Sequence, residues 1–193
     1  MSMTKEMTSG KPYKLILSFA IPLILGNVFQ QLYNMVDTVI VGKFVGVNAL
    51  AGVGSTGAIN FLVIGFALGI CSGFSIMIAQ RFGAGDYSGM RKFIANSIYL
   101  CIAVAVILTA VTMLLTKPIL TVMNTPKEIY DYAYNYIIII FAGISATMFY
   151  NILSGILRAV GDSRTPLIFL GVSSVLNVGL DLLCIIVFKM GVA

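Results

Sequence analysis

Apolar runs of bilayer length, separated by short polar connections, set the pattern of this chain. A spanning helix needs about 20 mostly apolar residues, and five stretches qualify: residues 15–41, 49–79, 93–115, 132–157 and 166–188. The second is longer than a bilayer requires, so it is expected to tilt or to project beyond the membrane. Short connections suit helices that alternate up and down in a bundle. The fold class this predicts is an all-α integral membrane protein, with no soluble domain and no low-complexity linker.

Polar positions inside the first span are the exception that needs explaining. At about 100° per residue, Asn27, Gln30, Gln31, Asn34, Asp37 and Thr38 fall within an arc of about 120°. Hydrocarbon cannot solvate such a stripe, so it must face protein or a water-filled cavity. Asp37 is the costliest member, at roughly 2.5–3.5 kcal/mol for a carboxylate at mid-helix. Tyr33 lies four residues before it, at the edge of the stripe, where its hydroxyl could reach the cavity.

The fifth span repeats the arrangement with Ser173, Ser174, Asn177 and Asp181 on one face. Asp37 is six residues before Lys43, about 9 Å of helix, and Asp181 is eight before Lys189, about 12 Å. Both spans run in the same direction, so the two carboxylates are expected at matched depth. Two carboxylates and the Asn177 amide oxygen in a poorly hydrated cavity suit a proton, because desolvation and mutual repulsion raise carboxyl pKa values. They equally suit a hard cation such as sodium, which takes oxygen ligands. The bland reading is that each Asp only hydrogen-bonds within the bundle.

Composition agrees with the pattern: 59% of residues are hydrophobic and 10% charged, with a mean hydropathy of +1.01. The net charge of +5 does not point to nucleic acid, because membrane proteins collect Lys and Arg in their inside loops. Lys5, Lys11, Lys14, Arg81, Arg91, Lys92, Arg158 and Arg164 would share one side, against Lys43, Lys117, Lys127 and Lys189 on the other. That excess predicts a cytoplasmic N-terminus in a multi-pass protein of the plasma membrane. Cys71, Cys101 and Cys184 sit in apolar runs with no His in the chain, so buried thiols are expected rather than disulfides or a Cys/His metal site. The first span is too long for a signal peptide and is expected to be retained. The chain stops just past the fifth span without a tail, which reads as a truncation.

Pro22 is either a kink or hinge within the first span, or punctuation near its start. Gly65, Gly69 and Gly73 have the small-xxx-small spacing that permits close helix packing. Ser55, Thr56 and Asn60 on the second span, and Tyr134, Asn135, Tyr136, Ser145, Thr147, Tyr150 and Asn151 on the fourth, are expected mostly to pack or bond back to their own helices. Gly83-Ala84-Gly85-Asp86 and Tyr130-Asp131 imitate the paired motifs of intramembrane aspartyl proteases. The topology puts Asp86 and Asp131 on opposite faces of the membrane, so no enzyme is expected.

Several motifs together resemble one family. Pro22, Gln30, Tyr33 and Asp37 on the first span, the run Gly42-Lys43-Phe44-Val45-Gly46 with Ala49-Leu50-Ala51, and Gln80-Arg81-Phe82-Gly83-Ala84-Gly85 are similar to the multidrug and toxic compound extrusion (MATE) family. Gly155-Ile156-Leu157-Arg158-Ala159-Val160-Gly161-Asp162 before Pro166, and Asn177 with Asp181, extend the match over nearly the whole chain. The resemblance implies a twelve-helix cation-coupled antiporter of two lobes working by alternating access. This chain would be most of the N-lobe, with helix six and the C-lobe absent. It implies that Gln30, Tyr33, Asp37, Asn177 and Asp181 line an N-lobe cavity that binds the coupling proton or sodium, and that Pro22 marks a bend. Arg158 and Asp162 would serve a structural or gating role in the connection before the fifth span.

The expected activity is export of amphipathic, often cationic, small organic molecules against an inward flow of protons or sodium, with no cofactor. Gln30, Tyr33 and Asn34 are the expected substrate-facing residues. A lipid-linked glycan flippase is the alternative within transport, and it would want a basic cavity. No span carries an interior basic residue by this reading. A non-transporting membrane subunit is the alternative outside it.

Overall fold

The computed structural model describes residues 11–187, with the side chains of Asp181, Leu182, Ile186 and Val187 outside that description. Expectations resting on the Asp181 side chain, on Lys5 or on Lys189 therefore lie outside the described residues. The described chain folds into α1 (Pro12–Phe44), α2 (Val47–Ser55), α3 (Gly57–Gly83), α4 (Tyr87–Val122), α5 (Lys127–Ala142), α6 (Ile144–Ala159) and α7 (Arg164–Leu182), with a π-helical turn at Leu183–Val187. Four of these segments, α1, α3, α4 and α7 with its extension, are long and apolar enough to cross a bilayer. The pair α5 and α6, bent by 44° at Gly143, passes the same test when taken together, which brings the crossings to five if the pair is one span. At 33 and 36 residues, α1 and α4 span about 50 Å and 54 Å, well beyond the roughly 30 Å hydrocarbon layer.

Local chemistry explains where the helices start and break. Pro12 occupies the first helical position of α1, where a missing N–H costs nothing. Pro22 is therefore interior, and the helix runs on through it. The second expected span is two helices, parted at Thr56, whose hydroxyl donates to the Val53 carbonyl at 2.8 Å. That bond competes with the helical ladder, and Gly57 follows as a weak helix former. Helix α4 starts earlier than hydropathy predicts because Asp86 caps it, accepting from Gly89 N–H at 2.8 Å.

Three helix pairs build the lobe: α3 packs on α6, α2 on α5, and α1 on α7, while α4 lies against α3, α5 and α6. The core joins Ala67 and Cys71 of α3, Cys101 and Ala105 of α4, Ile137 and Phe141 of α5, and Ile144, Met148 and Ile152 of α6. Outward residues such as Phe61 (83% exposed) and Leu114 (79%) leave a large exposed apolar surface, as expected of membrane-spanning helices. The glycines that permit close packing are not the ones expected. A Cβ on Gly65, Gly69 or Gly73 would meet nothing within 4 Å, whereas one on Gly52 would lie 2.7 Å from Tyr132 Cβ of α5. Gly155 of α6 is likewise pressed against Ser75 of α3. The physical reason is helical phase, since α3 buries Ala67, Cys71 and Ile78, and the three glycines lie on its opposite face.

Candidate functional site

Because α1 pairs with α7 and α3 with α6, a cavity of about 750 Å³ is left between the two pairs. Its α1 wall runs from Pro22 through Leu23, Gly26, Asn27 and Gln30 to Tyr33, and its α7 wall from Pro166 through Leu167, Leu170 and Ser173 to Asn177. Gly26 sets the spacing of these walls: a Cβ there would sit 3.5 Å from Leu167 Cδ1 and 3.6 Å from Leu170 Cδ2. Helix α6 contributes Thr147, Tyr150, Asn151, Ser154 and Arg158, and α3 contributes Ile64 and Leu68. Tyr150 ties α6 to α7 by donating its hydroxyl hydrogen to the Pro166 carbonyl at 3.4 Å.

Of the residues the sequence singles out on the first and fifth spans, the cavity gathers Pro22, Asn27, Gln30, Tyr33, Ser173 and Asn177, while Asp37 is not among its lining residues. The Asn177 Oδ1 atom is buried and has no hydrogen-bond partner among the described residues. Such an acceptor costs about 1–3 kcal/mol when unsatisfied, so a donor or a cation there would be stabilising. Asp37 is half-buried, one turn beyond Tyr33 and centred on the same face of α1, within electrostatic reach of Tyr136 on α5. Asn34 departs from expectation. It is not among the residues lining the cavity, and its Nδ2 donates to Gln31 Oε1 at 3.3 Å. Its backbone carbonyl accepts from Thr38 Oγ1 at 2.7 Å. The outer flank of the stripe thus satisfies itself along the helix, because α7 covers only one side of it.

Arg158 is the lining residue that the sequence reading placed elsewhere. It stands in the last turn of α6 rather than in the connection after it, and it gives the cavity one basic lining residue. Thr147, Asn151, Ser154 and Arg158 lie within an arc of about 60° on α6, so the arithmetic applied to α1 would have revealed it. The back-bonding expected of the other polar residues holds for Ser55, Thr56 and Thr147, while Thr147, Tyr150 and Asn151 also face the cavity. Among the described residues no three His, Cys, Asp or Glu side chains gather as metal ligands. The described lining offers amide and hydroxyl groups and one guanidinium but no carboxylate; Asp37 lies outside it.

The two loop aspartates have caps rather than chemistry. Asp162 is buried; burial pushes its carboxyl up, but Thr165 Oγ1 at 2.6 Å and the N–H groups of Thr165 and Arg164 hold it below the usual carboxylate range. Gly161 just before it takes φ of 88°, a left-handed turn that favours glycine and closes α6. Asp86 is held low first by the Gly89 N–H and further by Arg81, which donates to it at 2.9 Å. The 36-residue α4 separates Asp86 from Asp131 near the start of α5, so the protease-like pair is not assembled.

Comparison with known proteins fits this geometry. The MatE family model matches residues 22–183. The chain is 32% identical over 188 residues to the probable multidrug resistance protein YpnP of Bacillus subtilis, covering 97% of this chain and 42% of that protein. It is 33% identical over 168 residues to the probable multidrug resistance protein NorM of Thermotoga maritima, covering 87% of this chain and 36% of that one. Among solved structures, an outward-facing multidrug resistance MATE family transporter superposes with a TM-score of 0.90 at 30% identity, covering 98% of this chain and 42% of that one. The chain thus spans about two fifths of the length of its relatives, the share of one lobe. Four to five apolar helical spans, the cavity between two helix pairs and these matches identify the chain as a multi-pass membrane protein belonging to the MatE family of MATE transporters.

Proposed function

We propose that this lobe is the ion-coupling half of an antiporter that exports amphipathic, often cationic, compounds in exchange for protons or sodium. The observation that carries the proposal is the unpartnered, buried Asn177 Oδ1 on the wall of a cavity whose α1 face leads to Asp37. The cation binds between Asp37, Asn177 and Asp181. Gln30 and Tyr33, together with apolar walls from Leu23, Ile64, Leu167 and Leu170, offer an amphipathic substrate both kinds of contact.

The mechanism follows from charge. A carboxylate within a membrane lobe is costly, and binding a proton or sodium removes that cost in whichever conformation the cation is held best. Differential binding of this kind shifts the balance between outward- and inward-facing forms. Pro22 removes one rung of the α1 hydrogen-bond ladder at the cavity wall, where a bend would narrow the space for substrate. The protein sits in the plasma membrane with its N-terminus cytoplasmic, as the Lys and Arg distribution favours. The proposal is tested on the full-length protein carrying this segment. Asn177→Leu should raise the half-saturating concentration of the coupling cation by roughly tenfold or more, the loss of one oxygen ligand. An unchanged cation dependence with normal folding would remove Asn177 from the site.

A further inference from the structure

Arg158 lies in the last turn of α6, close to a membrane face. An arginine there ordinarily extends toward water while its stem covers apolar surface. Arg158 does the reverse. Its Nε donates to the Ser154 carbonyl at 3.1 Å, a bond that folds the side chain back along the helix, away from the nearer membrane face. Arg158 borders two spaces: the main cavity of about 750 Å³ and a smaller one of about 130 Å³ lined also by Leu68, Cys71, Ser72, Ser75 and Asn151.

No described residue lining either space is a carboxylate, and among the described residues the only ion pair is Arg81 with Asp86. Asp162, four residues on, is occupied by Thr165 and the Arg164 N–H. A cation that turns inward without a carboxylate leaves one end of the cavity positive. Asn151, Ser154 and Ser163 stand beside it with hydrogen-bonding side chains, and Leu23, Leu68, Leu167 and Leu170 supply apolar wall leading away.

We infer that this end of the cavity is an anion subsite, which holds the phosphate or carboxylate of an amphipathic molecule against Arg158 while its apolar body lies along α1 and α7. The subsite is opposite in sign to the cation site proposed at Asp37 and lies at the other end of the same walls. It stands whether or not Asp37 couples transport to an ion. A guanidinium suits the task because its fork of donors matches the oxygens of a phosphate or carboxylate.

Native mass spectrometry of the full-length protein carrying this segment, released from detergent micelles, tests the inference. The probes are lysophosphatidate, the monoacylglycerol with the same tail, and inorganic phosphate. The protein should retain lysophosphatidate over monoacylglycerol by roughly tenfold or more, the size expected of a charge-assisted contact. Arg158→Gln should abolish that preference, and Arg158→Lys, which keeps the charge but loses the fork of donors, should retain a measurable part of it. Arg91→Gln removes the same charge from an exposed position outside the cavity and should change nothing. Equal retention of the two amphiphiles by the unaltered protein would overturn the subsite, as would equal losses in Arg158→Gln and Arg91→Gln. Loss in Arg158→Lys as complete as in Arg158→Gln would assign the effect to packing and also overturn it. Displacement of the amphiphile by inorganic phosphate at matched concentration would refute the amphipathic ligand.

Discussion

Gly52 is where the packing makes its sharpest demand. A methyl group placed there would lie 2.7 Å from Tyr132 Cβ, 3.0 Å from the Ala133 nitrogen and 3.2 Å from the Ile129 carbonyl oxygen. Two of those three neighbours are α5 backbone, so no rotamer change relieves the contact. Ordinary van der Waals separation begins near 3.4 Å, which requires α2 and α5 to part by roughly 0.7 Å along their seam. Overpacking of this size costs about 1–3 kcal/mol, against a helix-propensity gain for Gly→Ala of at most about 1 kcal/mol. Gly52→Ala should therefore be less stable by about 1–2 kcal/mol, equivalent to about 2–8 °C in melting temperature for a lobe of this size. Gly65→Ala is the control, because a Cβ there meets nothing within 4 Å, and it should melt at or slightly above the parent. Cys71 and Cys101 are 2% and 4% exposed, whereas Cys184 is only half-buried rather than buried as expected, so a thiol-reactive fluorophore reports unfolding once Cys184 is replaced by Ser in every variant. The reasoning is refuted if Gly52→Ala melts with the parent, or if Gly65→Ala loses as much.

Other consequences concern the caps and the hinge. Asp162→Ala should destabilise the lobe by about 0.5–2 kcal/mol, the range for losing an N-terminal cap, as measured by the same melt. Because folding lowers the Asp162 pKa, its contribution is fully present above the unfolded value of about 3.9 and is lost as pH falls through the folded value. The melting difference between the parent and Asp162→Asn should accordingly persist near neutral pH and shrink only under acid conditions; a difference that grows with acid would reverse the assignment. Pro22→Ala restores a backbone donor in α1, and the full-length protein should then fold at least as stably but transport more slowly, as read by melting and by dye efflux.

The spans were legible because a bilayer demands long apolar helices, and the α1 stripe was legible because polar side chains cannot face lipid. Asn27, Gln30 and Tyr33 follow from that rule alone and do line the cavity. What the sequence hid depends on partners. The spacing of Gly65, Gly69 and Gly73 states only that a helix could approach. The face α3 presents to α6 is decided by Ala67, Cys71 and Ile78 instead. Asn34 shares the angular stripe yet is not among the residues lining the cavity, because periodicity does not say how wide a neighbouring helix is. Arg158 was attributed to an inside connection, since an arginine at a helix end satisfies the charge rule wherever its side chain points. Its place on the face of Thr147, Asn151 and Ser154 follows from helical phase, and the bond to Ser154 shows in addition that the side chain turns back along α6.

The central claim is that Asp37 on α1 couples cation entry to export, and ion-gradient-driven dye transport in proteoliposomes tests it most directly. The full-length protein carrying this segment would be reconstituted as parent and as Asp37→Asn, with proton and sodium gradients imposed separately. The account predicts that one of the two gradients drives dye movement in the parent, and that Asp37→Asn loses this drive while melting with the parent. Undiminished gradient-driven transport by a folded Asp37→Asn would contradict it.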